Sequence, residues 1–263
     1  ILVVLAAFAD QDTSDDTSEL EEKAKESLFG GEGSESASEY FKKVSQEKMS
    51  LKGKILSGWR ILKNSEEYWS GEGSSNFDYT KVLNDTISAI DPDVYLPDYG
   101  RIIIFLKDGE KRAYASGSIG KWDNIESDDG LLSMGICWIW EDDISYRYKL
   151  WHELLHTFGF SHSGSIYLKD AEACDRLCSN QEITKADDVT WPPLECSTEE
   201  YGDGMCVLGH GRGYPSAFIK YKLGWLNDDQ ILVVTESVTA TLIPRSSSLG
   251  GAKMIIIVAK DSE

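Results

Sequence analysis

The run His152-Glu153-Leu154-Leu155-His156-Thr157-Phe158-Gly159-Phe160-Ser161-His162 has the residue types and the spacing of a metal site. Two histidines four residues apart lie one helical turn apart on one face, so both imidazoles can reach one ion. A third histidine must come from beyond the helix. Gly159 accepts positive φ, which lets the helix stop and the chain turn back with His162. Three neutral imidazoles around Zn²⁺ leave a fourth tetrahedral position for water, the pattern of a catalytic zinc site rather than a structural one. Glu153, next to His152, is placed to take a proton from that water. With 4 histidines and 23 glycines in 263 residues, random placement yields the full pattern ~10⁻⁵ times per chain, against about 10⁻² for the bare His-Glu-x-x-His, so the longer pattern is the specific one. The plainer reading, a core helix that happens to carry histidines, does not require three of the four to fall in one motif.

The elements that must position these groups can be read on either side. Ser145 is the expected N-cap of the zinc helix. Leu150, Leu154 and Phe158 form one i, i+4, i+8 row for burial against a sheet, while His152 and His156 form another that faces a cleft. Before the helix, Leu131 to Trp140 reads as a strand, and as the candidate cleft edge to which an extended peptide could add. Gly109 to Gly130, rich in glycine and acids, reads as a long loop. Arg101 to Leu106 is an unbroken apolar run, the mark of a strand covered on both faces in a parallel sheet. Ile1 to Phe8 reads as a buried first strand in preference to the end of a signal peptide, since it lacks a basic flank. Asp12 to Gly33 is an acidic surface excursion with a short helix around Leu20 to Phe29. Ser36 opens a helix through Lys48, Lys54 to Leu62 is a strand, and Tyr79 to Ile90 is a helix with Val82, Leu83, Ile87 and Ile90 on one side.

After the zinc motif, Ser163 to Thr198 forms a cysteine-bearing loop and Tyr214 to Tyr221 can be helical. Ile231 to Val234, Val238 to Ile243 and Met254 to Val258 read as strands of a small β segment. The chain stops just after the last of them, so the sequence reads as part of a longer protein.

Composition bounds the function. A chain of 263 residues can bury one large core or two smaller ones. The net charge of −19 and pI near 4.6 argue against nucleic acid and anionic membranes as partners, and no apolar run is long enough to span a bilayer. The acidic stretch Asp123 to Asp129 reads either as solvated surface or as an oxygen-rich Ca²⁺ loop. Of the five cysteines, Cys174, Cys178, Cys196 and Cys206 crowd the segment after the zinc motif and Cys137 stands apart in an apolar strand. Clustering of that kind reads as disulfides in an oxidising compartment, with Cys137 as the unpaired one. Asn84-Asp85-Thr86 is a glycosylation sequon consistent with secretion.

The elongated zinc motif resembles that of the metzincin metallopeptidases. Ile1 to Asp10, Tyr40 to Leu51, the Tyr201-Gly202-Asp203 run and the close Leu223-Gly224-Trp225-Leu226 are similar to the gametolysin family, and more distantly to the immune inhibitor A peptidases. The resemblance covers most of residues 1 to 245. It implies an α/β (α+β) catalytic domain. Residues 1–159 would form an upper part with a twisted, mixed five-stranded sheet, a backing helix and the zinc helix. Residues 160–226 would form a smaller lower part, followed by a β segment over 227–263. It also implies a turn beneath the metal that normally carries a methionine. In this chain Leu208 stands there, before Gly209, with Met205 as the alternative in a shifted register. His210, two residues on, matches by offset a tyrosine that touches the zinc or the transition state in some metzincins. As an extra ligand or oxyanion donor it competes with the plainer reading of a surface histidine.

The activity so implied is a secreted zinc endopeptidase, with a protein or peptide substrate, His152, His156 and His162 as ligands and Glu153 as general base. Two alternatives are a non-catalytic, zinc-bearing extracellular binding module on the same scaffold and a disulfide-stapled adhesion domain with an accidental motif. The retained Glu153 speaks against the first, because a purely structural site needs no base.

Overall fold

The computed structural model describes residues 1–71, 73–109, 113–168, 196–211, 213–235, 238–244 and 251–257. The chain divides into two compact units, one of residues 1–160 with 217–263, the other of residues 161–216.

The first unit is mixed α/β, built on a mostly parallel sheet. Its strands are β1 (Leu2–Ala7), β2 (Lys54–Ile61), β3 (Arg101–Leu106), β4 (Ser116–Gly117), β5 (Trp122–Ser127) and β6 (Gly130–Trp140). The order is β2-β1-β3-β6-β4, with β5 pairing a further stretch of β6. The strands β2, β1, β3 and β6 run parallel, while β4 and β5 run antiparallel to β6. Every residue of β1 is buried, as its unbroken apolar run predicts. Alternation along the strands sends Leu2, Val4, Ile102, Ile104, Ile136 and Trp138 to one face, where they share a core with Val82, Leu83, Ile87 and Ile90 of helix α3 (Tyr79–Ile90). Each such aliphatic side chain contributes ~1.5–3 kcal/mol by leaving water. Asp78 caps α3 by accepting from the Lys81 N–H.

The residues of opposite parity, Val3, Leu5, Ile103, Phe105, Cys137 and Ile139, are buried on the other face. Three further helices belong to this unit: α1 (Ser18–Phe29), α2 (Ala37–Val44) and α4 (Arg147–His156). Ser36 caps α2 by accepting from the Glu39 N–H. The helix stops at Val44, short of the expected Lys48, because Gln46 and Glu47 both take positive φ. The Gln46 side chain is then free to reach the Trp225 carbonyl and the Gln230 amide oxygen.

Four expectations are corrected here. Gly109 to Gly130 is not one loop, since it holds β4 and β5; β4 is two residues long, and β5 buries only Ile125 and bulges at Asn124, so neither leaves an alternating trace in sequence. Strand β6 is not the cleft edge, because β4 pairs its outer side. Ser145 is not the N-cap of α4; it ends a 3₁₀ turn over Glu141–Ser145, and the helix starts after Tyr146 without a side-chain cap. Residues 217–226 belong with the sheet unit rather than with the part that follows the zinc helix, because Trp225 packs on Phe41 and Phe158 and Lys48 donates to the Gly224 carbonyl.

Helix α5 (Ala217–Lys222) also lies in this unit. In the C-terminal segment, Ile231–Val234 and Met254–Ile257 pair as two parallel strands. Val238 to Ile243 is not a strand, and Val238 and Leu242 are exposed. The sequon at Asn84 falls inside α3 instead of a loop, with Asn84 exposed and Thr86 buried. No helix among the described residues is long and apolar enough to cross a membrane.

The second unit contains a two-stranded antiparallel pair, Ser165–Leu168 with Cys196–Glu199, followed by a turn through residues 199–211.

Candidate metal centre

Helix α4 positions the first two imidazoles by burying what lies behind them. Leu150, Leu154 and Leu155 are fully buried, while Trp151 and His152 stay partly exposed. Phe158, the third residue of the expected apolar row, lies beyond the helix end, where its ring meets Phe41, Trp225 and the Arg101 guanidinium. The rings of His152 and His156 are 4.7 Å apart, centroid to centroid, and nearly perpendicular. The His156 Nδ1 lies 2.6 Å from the Phe160 carbonyl. A proton on Nδ1 makes that contact a hydrogen bond and leaves Nε2 as the open donor atom for a metal.

The reversal expected at Gly159 is present. Gly159 has φ 96°, and its N–H donates to the His156 carbonyl at 2.8 Å. The same carbonyl accepts from Gly120, just past β4, at 2.9 Å. His162 follows, and the ligand atoms of His152, His156 and His162 all lie within 4.8 Å of one another. The spacing-based expectation for the three ligands is therefore met in their convergence. This is the one group of three or more potential ligands gathered among the described residues. Asp123 to Asp129 forms no such group: Asp123 accepts from Ser133 and Asp129 from the Leu96 N–H, so the acids of the hairpin are directed apart.

Glu153 is 8% exposed. Burial pushes its carboxyl up to about 8; the Lys149 ammonium and the Gly117 N–H, which donates to it, pull the other way. Gly117 is the outer-strand residue that makes this approach possible, because a Cβ there would run into the Glu153 carbonyl. Thus β4, absent from the sequence reading, supplies the contact that holds the acid. The only sequence trace of that role is a glycine among four in the stretch Gly109 to Gly130.

The His162 Nδ1 lies 2.6 Å from the Glu200 carboxylate, and the Tyr201 ring packs against the imidazole at 3.7 Å. Leu208 is fully buried and its carbonyl accepts from the Ser163 N–H. Met205 is 72% exposed, so a simple apolar packing role fails for it. His210 is exposed and stands outside the group of three. Cys206, grouped in sequence with the clustered cysteines, is a buried free thiol that accepts from Ser163 Oγ, and Cys137 is free and buried as well. Cys174 and Cys178 lie outside the described residues, and of Cys196 only the strand it begins is described.

The donor set suits zinc. It is all imidazole, with the Nδ1 atoms of His156 and His162 in contact with a carbonyl and a carboxylate, and with a desolvated acid adjacent in sequence but outside the ligand group. The chain matches no protein-family model and no characterised protein.

Proposed function

We propose that the protein is a zinc-dependent endopeptidase of metzincin type, similar to the gametolysin family, acting on protein substrates outside the cell. One observation carries this reading. Three imidazole donor atoms fall within 4.8 Å of one another, and the residue between the first two in sequence is a buried acid.

His152, His156 and His162 would hold the ion. When bound, zinc would supply Lewis acidity, lowering the pKa of a water toward ~7 and polarising a peptide carbonyl. Glu153 does the proton work. Burial strengthens the hold of this carboxyl on a proton, while a divalent ion beside it would favour the ionised form, so that it could accept a proton from the attacking water and return it to the leaving amine. The Gly117 N–H orients it for both steps. Among the described residues β4 ends the sheet beside this acid, so an extended peptide could lie along it. The acidic surface opposes binding of polyanions and leaves proteins and peptides as the substrate class.

The test is cleavage-site profiling on a mixed peptide library, with a chelator arm and the Glu153→Gln variant. The reading requires cleavage that the chelator abolishes and added zinc restores. It also requires that Glu153→Gln hold one zinc per chain while cleaving ~10²–10⁴-fold more slowly. A variant as active as the parent, or a parent that takes up no zinc, would sink it.

A further inference from the structure

The three imidazoles are not held alike. His152 and His156 inherit their positions from a helix packed on a sheet. His162 sits on irregular backbone and is partly exposed. A ring on such a chain has two torsions to lose and two tautomers to choose between, and nothing in the zinc motif itself decides either.

The turn through residues 199–211 decides both. Ser163, the neighbour of His162, is bonded into this turn in two directions. Its N–H donates to the Leu208 carbonyl at 2.8 Å and its carbonyl accepts from the Asp203 N–H at 3.1 Å. Asp203 in turn accepts from the N–H groups of Met205 and Cys206. The Glu200 carboxylate then meets His162 Nδ1 at 2.6 Å, and the Tyr201 ring lies over the imidazole, 3.7 Å centroid to centroid and 32° from parallel. Tyr201 reaches that place only by taking φ 64°, a left-handed conformation unusual for an aromatic residue. Its carbonyl is tied down by the His210 N–H at 3.0 Å. A strained backbone that aims a ring at a functional imidazole is the kind of local cost that is retained where it positions something.

Resting on the zinc reading above, we infer that Glu200 and Tyr201 are the positioning residues of the third ligand: the Glu200 carboxylate keeps the His162 proton on Nδ1 and so presents Nε2, and the Tyr201 ring fixes the plane of the imidazole. This gives the Tyr201-Gly202-Asp203 run, and the acid just before it, a physical task. Neither residue touches the reacting atoms. Their effect is on how firmly the ion is held, because a carboxylate behind a ligating histidine orients it and raises its basicity, and losing it costs ~10–100-fold in metal affinity. The Glu200 side chain is 72% exposed, so its bond adds little to folding stability. Removing it should therefore change zinc binding without changing the fold.

The experiment measures the zinc dissociation constant of the full chain by competition with a chromophoric chelator, alongside the melting temperature of the zinc-free protein. Glu200→Ala should weaken zinc ~10–100-fold at an unchanged zinc-free melting temperature, and Glu200→Gln, which keeps an acceptor for the Nδ1 proton, should recover part of the loss. Tyr201→Asn removes the ring but tolerates the left-handed backbone, and it too should weaken zinc. Tyr201→Phe should bind as the parent does. The inference is overturned if Glu200→Ala and Tyr201→Asn both bind zinc within about twofold of the parent. It is overturned equally if Glu200→Gln is no better than Ala and the affinity loss simply tracks a fall in the zinc-free melting temperature. Failure of the parent chain itself to bind one zinc is a different outcome. That would remove the metal reading altogether, and this inference with it.

Discussion

His152 and His156 are held by a helix, and His162 is held by a turn. On the helix, position follows from spacing and packing: Leu150, Leu154 and Leu155 are buried, and the two imidazoles fall one turn apart as a consequence. In the turn, position follows from particular bonds, from Glu200 to the ring and from Ser163 to Asp203 and Leu208. The first arrangement is robust because the same contacts that stabilise the fold also aim the ligands. The second is adjustable, since the Glu200 carboxylate that meets the ring is itself largely exposed. Mutations should therefore separate metal binding from folding in the turn and couple them on the helix.

The largest effect comes from deleting a ligand. His156→Ala and His162→Ala should each fail to hold stoichiometric zinc and should lose the proposed peptidase activity by ~10³-fold or more, the several kcal/mol that a metal supplies. The two should differ in the zinc-free state. His156 is 4% exposed and in contact with the Phe160 carbonyl through a part-buried hydrogen bond, so its loss should cost ~0.5–1.5 kcal/mol. His162→Ala should leave the zinc-free melting temperature nearly unmoved. Calorimetry on both variants checks this, and equal destabilisation would erase the distinction between helix and turn.

Next is the packing behind the helix. Leu154→Ala should cost ~2–5 kcal/mol, read as a lowered denaturant midpoint at unchanged slope. Zinc added at saturation should recover part of that stability, because the ion binds only the folded chain.

The same contrast governs what could be read from sequence. Unbroken apolar runs placed β1 and β3, and apolar patterning placed β6 and α3, within a residue or so of their observed limits, because these elements are buried on a face or on both. The His-Glu-x-x-His spacing and Gly159 likewise led to the convergence of the three imidazoles. What was not legible lies where few side chains are buried. Strand β4 is two residues long, and its function rests on the Gly117 N–H, a backbone group that no side-chain pattern marks. Glu200 is one acid among 45 acidic residues, so its identity as a partner of His162 emerges only in three dimensions. The pull of 217–226 back to the sheet unit depends on Trp225 meeting Phe41 and Phe158, contacts distant in sequence.

A smaller effect tests the buried acid. In the zinc-free chain Glu153 keeps its proton up to about pH 8, whereas the unfolded chain releases it near 4.5. Between those values the folded state binds more protons than the unfolded one, so stability falls as pH rises. The contribution is full below the lower value, is lost progressively through the window, and levels off above the higher. The slope from this one group is at most ~1.4 kcal/mol per pH unit. Melting temperatures across the window should show the decline in the parent and lose it in Glu153→Gln. A divalent cation beside the acid favours the ionised form, so zinc should flatten the curve as the substitution does.

The smallest effect concerns the turn through residues 199–211. Leu208 is fully buried and Met205 is 72% exposed, and Leu208 is the residue that the proposed metzincin resemblance sets at the methionine position. Leucine and methionine have similar volumes, and their exchange costs less than ~1.5 kcal/mol. Leu208→Met should fold, bind zinc within about twofold of the parent and shift the melting temperature only slightly. Leu208→Ala should be much worse, because it opens a cavity in the turn that frames Ser163 and therefore His162. The informative ratio is zinc affinity in Leu208→Ala against Leu154→Ala at matched loss of stability. If the turn holds its ligand by local bonds and the helix holds its pair by the core, Leu208→Ala should lose more zinc affinity per kcal/mol of destabilisation. Equal losses would mean that the third imidazole, like the other two, is positioned by the fold as a whole.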